Sequence, residues 1–101
     1  MKVTYTDQSI DSLQESLDFA TEEQELPLGK ASELKSRLFN RAESLVLNPY
    51  RGQREEYLQH LKEDHRRIIE GHFKIIYKVE NEVIYITDFF DSRQKPEKMK
   101  G

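Results

Sequence analysis

Polar and apolar residues alternate from the start of the chain. Val3 and Tyr5 fall between Lys2, Thr4 and Thr6, a period of two that predicts a short strand. Asp7 is placed to cap a helix after it. Ile10, Leu13, Leu17 and Ala20 then recur every three or four residues while Asp11, Gln14, Glu15 and Asp18 face away, the pattern of an amphipathic helix that frays into the acidic stretch 21–25. A second, longer helix is predicted from Pro27. It carries Leu28, Ala31, Leu34, Leu38, Ala42 and Leu45 on one side and stops at Asn48-Pro49, because a residue before proline is pushed out of helical conformation. Two such helices joined by a short polar connector pack as an antiparallel hairpin, with one apolar side left for a sheet to cover.

The second half supplies that sheet. Runs at 66–70, 73–79 and 83–90 are rich in β-branched and aromatic residues, and the turns between them are short, Gly71-His72 and then Glu80-Asn81-Glu82, which predicts an antiparallel meander. Strict alternation sets Phe73, Ile75, Tyr77 and Val79 against Lys74, Ile76 and Lys78 in the middle run. In the last run it sets Val83, Tyr85, Thr87 and Phe89 against Ile84, Ile86, Asp88 and Phe90. Residues 50–65 hold only Tyr57, Leu58 and Leu61 as anchors and read as an irregular crossing segment. The polar tail from Ser92 is interrupted by Pro96 and permits a short terminal helix or a free end. The expectation is one α+β domain over residues 1–101, element order β-α-α-β-β-β, with the helical hairpin on one face of an antiparallel sheet. Ile10, Leu13, Leu17, Leu34, Leu38, Leu45, Ile75, Tyr77 and Ile86 form its expected core.

Composition narrows the chemistry. With 101 residues, 36% hydrophobic and 35% charged, the chain suits one thin two-layer fold. It has no cysteine, so disulfides and thiolate metal sites are excluded. His60, His65 and His72 are spaced five and seven apart, which puts no two on one helical face, and no metal site is expected. There is no glycine-rich phosphate loop or serine nucleophile elbow, and no cofactor is expected. No apolar run spans a bilayer and the start lacks a signal-peptide core, so a cytoplasmic protein without a membrane partner is expected. The net charge of -3 and pI near 5.6 sit far from the pI above about 9 usual for nucleic-acid-binding domains, so no sequence-specific DNA binding by this chain alone is expected. Charge is segregated, however. Residues 1–48 carry 5 basic and 9 acidic side chains, residues 49–101 carry 11 and 10, and an anionic partner is expected on the second half.

Three strings carry a family resemblance: Asn48-Pro49-Tyr50-Arg51-Gly52 after the long helix, the run from Arg66 to Val79 across the first hairpin, and Ile84-Tyr85-Ile86 leading to Phe90-Asp91-Ser92-Arg93-Gln94. With the order of elements, the chain resembles the RelE/ParE superfamily of toxins of type II toxin–antitoxin systems over nearly its whole length. The resemblance implies a growth-inhibiting toxin, of the kind linked to plasmid stabilisation, with a cognate antitoxin as partner. Two chemistries are open within it. RelE-like members are ribosome-dependent mRNA endoribonucleases, and cleavage through the ribose 2′-hydroxyl needs a proton carrier and cations around the phosphorus. ParE-like members inhibit DNA gyrase by binding and need no acid or base.

Candidates for the ribonuclease are Arg66, His72, Lys74 and Arg93, with His65, Tyr77 and Tyr85 as further proton carriers. Ribonucleolytic members commonly place a His or Tyr near the end of the last strand, where this chain has Asp88-Phe89-Phe90-Asp91-Ser92, and phenyl rings transfer no proton. This departure and the low pI favour the ParE-like reading, with RelE-like cleavage and a non-toxic protein-binding module of the same fold as alternatives. The surface expected to meet target or antitoxin comprises Arg66, Arg67, Lys74, Phe90, Arg93, Lys95 and Lys98. For Arg66 and Arg67 an ordinary ion pair with Asp88 or Asp91 is the competing expectation.

Overall fold

The computed structural model describes residues 1–101. Strand β1 (Lys2–Tyr5) leads into helices α1 (Asp7–Glu22) and α2 (Leu28–Glu43). Strands β2 (Gln53–Arg54), β3 (Arg66–Glu70), β4 (Phe73–Glu80) and β5 (Val83–Asp91) follow, in a five-stranded sheet ordered β1-β5-β4-β3-β2. The sheet is mixed where an antiparallel one was expected. β3, β4 and β5 form the predicted meander, but β1 lies parallel to β5, Val3 opposite Ile84 and Tyr5 opposite Ile86. The helical crossover between β1 and the meander returns the chain in the same direction, as parallel neighbours require.

Helix α1 starts one residue earlier than the Asp7 cap implied. Thr6 is extended, its hydroxyl accepts the Ser9 amide at 3.1 Å, and Asp7 sits in the first turn where a carboxylate favours the helix dipole. The helix is also rolled relative to its apolar stripe. Ser9, Ser12 and Ser16 are buried beside Leu13, Leu17 and Ala20, while Ile10, expected in the core, is 45% exposed. The cause is the edge of β5 beyond the end of β1. The Thr6 amide donates to Ile86 O, Gln8 Nε2 to Thr87 O, Phe89 N to Ser12 Oγ, and Ser16 Oγ to Phe89 O. Small hydroxyl side chains let the helix approach the strand and satisfy its backbone, and a leucine or isoleucine there would do neither.

Helix α2 buries Leu34, Leu38 and Ala42 and tightens into a 3-10 turn over Ser44–Leu47 that still buries Leu45; Leu28, at the far end of the stripe, is exposed. These residues meet Ile68, Phe73, Ile75, Tyr77, Ile84, Ile86 and Phe89 in the main core, with Tyr5 and Phe39 packed on Phe89. Each such aliphatic or aromatic side chain contributes about 1.5–3 kcal/mol on burial.

Alternation fails in β5. Ile86 faces Tyr77 and Asp88 faces Ile76, so Thr87 is an extra residue, and past this bulge the faces exchange. Phe89 therefore joins Ile84 and Ile86 under the helices, and Phe90 points to the other side with Ile76. That second side is covered too. The segment read as irregular contains β2 and a 3-10 helix over Glu56–Leu61 that buries Leu58, and the tail closes in a 3-10 turn over Pro96–Lys98 that buries Met99. Leu58, Ile76, Phe90 and Met99 form a small second core. No helix is long and apolar enough to cross a membrane.

Candidate functional site

The expected contact residues separate into three places. Arg66 is on the helix side of the sheet, where it ties down the preceding loop. Its guanidinium donates to Tyr50 O and Gly52 O at 3.2 and 2.9 Å, lies over the Tyr50 ring and stands 3.6 Å from Asp64. Gly52 closes the same joint by donating to the Tyr77 hydroxyl at 3.0 Å. A Cβ at Gly52 would lie 2.5 Å from that hydroxyl and 2.7 Å from Arg67 O, so only glycine fits. Tyr77 is thus a core residue with its hydroxyl occupied, and burial pushes its pKa up.

The second place is the opposite face of β3 and β4. Arg67 and Lys74 converge on Glu55, at 3.7 and 2.9 Å, and Glu55 is only 3% exposed. Arg67 also donates to Arg54 O, and Glu55 accepts its own helical-turn amide from Tyr57. Further along β4, Lys78 reaches Glu63 at 2.8 Å and Glu80 at 3.5 Å, and the bond to Glu63 raises the lysine pKa and lowers that of the carboxyl. The competing expectation that Arg66 or Arg67 pairs with Asp88 or Asp91 is overturned. Their partners come from the loop before β3, which lies nearer than the end of β5.

The third place is the end of β5. Asp91 is fully buried and is gripped by Arg93 through both oxygens, at 3.0 and 2.7 Å, while the Arg93 amide donates to the same carboxylate. That pairing raises the Arg93 pKa. Arg93, Lys95 and Lys98 line an open groove of about 470 Å³ against Phe19, Glu23 and Gln24 of α1 and its end. His72 stands in the adjacent exposed turn, its carbonyl accepting from the Ser92 amide and hydroxyl at 2.8 Å. Phe90, expected on the contact surface, is 3% exposed: the bulge at Thr87 sets it on the second side of the sheet, where it is buried with Leu58, Ile76 and Met99.

Several polar groups that the sequence did not mark are prominent. Glu55 and Asp64 organise the basic strands from within a charged run without periodicity. Asp88 is buried at the sheet centre, accepts the Lys100 amide at 2.7 Å and has a pKa raised by desolvation. His65 is 3% exposed and neither ring nitrogen has a hydrogen-bond partner; desolvation lowers its pKa, against the pull of Glu63. No three His, Asp or Glu side chains are grouped to hold a metal ion.

A mixed sheet with two helices on one face, a basic hairpin and an arginine clamp ending the last strand define a RelE/ParE-type toxin fold. The family model for the ParE toxin of type II toxin–antitoxin system, parDE, matches residues 3–96, and the chain belongs to that family. No curated relative matches it.

Proposed function

We propose that this chain arrests growth as the toxin of a type II pair by binding its target, DNA gyrase, without cutting RNA, and that a cognate antitoxin neutralises it. The observation that carries this reading is the end of β5. A phosphoryl-transfer site needs a cation free to meet the phosphorus and a group that moves a proton. Here Arg93 is already bound to a buried carboxylate through two hydrogen bonds, and its neighbours Phe89 and Phe90 are buried hydrocarbon. The other candidate cations, Arg66, Arg67 and Lys74, are likewise matched to Asp64 and Glu55. A binding protein needs only a shaped surface, and such pairs fix its shape.

The test is brief induction of the chain in a bacterial host, with growth recorded, new mRNA 5′ ends mapped genome-wide, and DNA supercoiling by purified gyrase assayed with added protein. Growth arrest, no codon-phased cuts and loss of supercoiling are expected. Arrest with codon-phased cuts and unimpaired gyrase would establish the RelE-like activity instead.

A further inference from the structure

A cavity of about 380 Å³ opens on the flank of the molecule, where α2 ends, the Gly52–Gln53 turn passes and β3 runs on beyond its short pairing with β2. Arg41, Arg51 and Arg67 stand on its wall, and no acidic residue does. Their charges are balanced unequally. Arg67 is matched on the other face of the sheet by Glu55, at 3.7 Å. Arg41 shares the single carboxylate of Glu70 with Arg37, at 3.5 and 3.4 Å, so that group keeps one positive charge over. Arg51 has no carboxylate within ion-pair distance. Its guanidinium is held only by the Ser44 hydroxyl, at 2.5 Å, and the residue is exposed. Two uncompensated positive charges therefore border one cavity.

The hydrogen-bonding groups of this wall are as one-sided. Its acceptors are occupied: the Ile69 carbonyl by Arg41 Nη2 at 3.2 Å, the Gly52 carbonyl by Arg66 Nη1 at 2.9 Å, and Gln53 Oε1 by Arg67 Nη2 at 3.1 Å. Its donors are not. Arg51 keeps the rest of its N–H groups, and the Gln53 side-chain nitrogen is unused. The Ile69 amide points outward with its carbonyl, because the N–H and C=O of one antiparallel residue face the same way. Arg41 Nε is shielded from solvent without a hydrogen-bond partner, so Glu70 lies beside it without bonding to it.

We propose that this cavity binds a phosphate dianion, free or as the monoester end of a small molecule, between Arg41 and Arg51. A ligand that meets donors and no free acceptor must itself be acceptor-only. Two surplus charges match a phosphate monoester, which carries about -1.5 to -2 at pH 7, better than a single carboxylate. Donors arrive from α2, the turn and β3, as the oxygens of a tetrahedral group require, and each guanidinium can offer two parallel N–H groups to two of them. A nucleic-acid backbone fits less well, since each diester carries one charge and binding along it needs cations repeated on its path. The wall is stiff. Gly52 donates to the Tyr77 hydroxyl and has no room for a Cβ, which fixes the turn between Arg51 and Gln53.

The probes are inorganic phosphate, adenosine 5′-monophosphate and its 3′,5′-cyclic diester, titrated into the full chain at constant ionic strength, with backbone amide and arginine Nε–H shifts followed by NMR. The first two should saturate shifts at Arg51, Gln53 and Ile69, and the diester should bind about tenfold more weakly. A monophosphate tighter than inorganic phosphate makes an ester the ligand, and the reverse order makes it the free ion. Arg51→Gln should weaken both about tenfold. It should leave the thermal midpoint in phosphate-free buffer in place, because Arg51 makes one hydrogen bond at the surface. Equal affinity for Arg51→Gln, or for the cyclic diester, overturns the proposal. So do equal binding of succinate, shifts centred on Lys95 and Lys98, and tighter, Arg51-dependent binding of an oligonucleotide without a terminal phosphate. Since the readout is binding of a small anion and not growth, the toxin reading can fail while this site stands, and the reverse.

Discussion

The two faces of the sheet are closed by different means. Under the helices, long periodic elements bring Leu13, Leu17, Leu34, Leu38 and Leu45 onto Ile75, Tyr77, Ile86 and Phe89, and two serines of α1 buried there bond to strand backbone. The opposite face is covered by a 3-10 helix and a tail that bury four apolar residues, and elsewhere it is tied by ion pairs around Glu55 and Glu63. Non-directional burial holds one face and geometry-dependent polar contacts the other. The first should set global stability, and the second should set how the basic strands are presented.

Four changes separate the faces. Leu38→Ala, at a fully buried site in the larger core, should cost about 3 kcal/mol in denaturant unfolding, with both faces melting together. Glu55→Ala should cost about 2 kcal/mol, because it leaves Arg67 and Lys74 without their carboxylate while their side chains stay only 20% and 24% exposed; Glu55→Gln should recover part of this. Met99→Ala should cost about 1 kcal/mol, less than a usual core truncation, because the tail can open locally; amide exchange at Lys100 should speed up while the main core stays protected. A global loss matching that of Leu38→Ala would end the distinction.

The smallest effect is on pH dependence. His65 has a folded pKa below its ordinary 6.5, so the fold binds the neutral ring more readily than the unfolded chain does. Its contribution is therefore intact above pH 6.5 and is lost as pH falls from 6.5 through the lowered folded value. Asp88 works in the opposite sense and lower down. Its raised folded pKa means that stability returns as pH falls toward its ordinary 3.8. His65→Gln should flatten the thermal midpoint between pH 7 and about 5.5, and an unchanged slope would remove the assignment.

Much of the helix-backed face was legible. Leu34, Leu38 and Leu45, and the inward set Phe73, Ile75 and Tyr77, follow from period alone, because burial on one side of a regular element repeats with that element's geometry. Ile10 misled because apolar spacing does not weigh the backbone of a neighbouring strand, which here selects serines. Phe90 misled because the bulge at Thr87 moves it to the second face, and that face is covered by Leu58 and Met99 from two segments without periodicity. For the site, the sequence marked the cations but not the carboxylates that hold them. Glu55 is 12 residues from Arg67 and 19 from Lys74, Asp91 only two from Arg93, and nothing in their local surroundings distinguishes them from solvated acids.

By itself the sequence determined the α+β class, the order of the main elements, the principal core and the family, since all of these rest on local periodicity and on strings of adjacent residues. Only the tertiary structure decided that β1 runs parallel to β5, that the second face is closed, which arginines are paired, and that Arg51 stands free beside a donor-lined cavity. Those depend on which distant backbone groups and opposite charges meet in space, and chain-local patterning carries no record of that meeting.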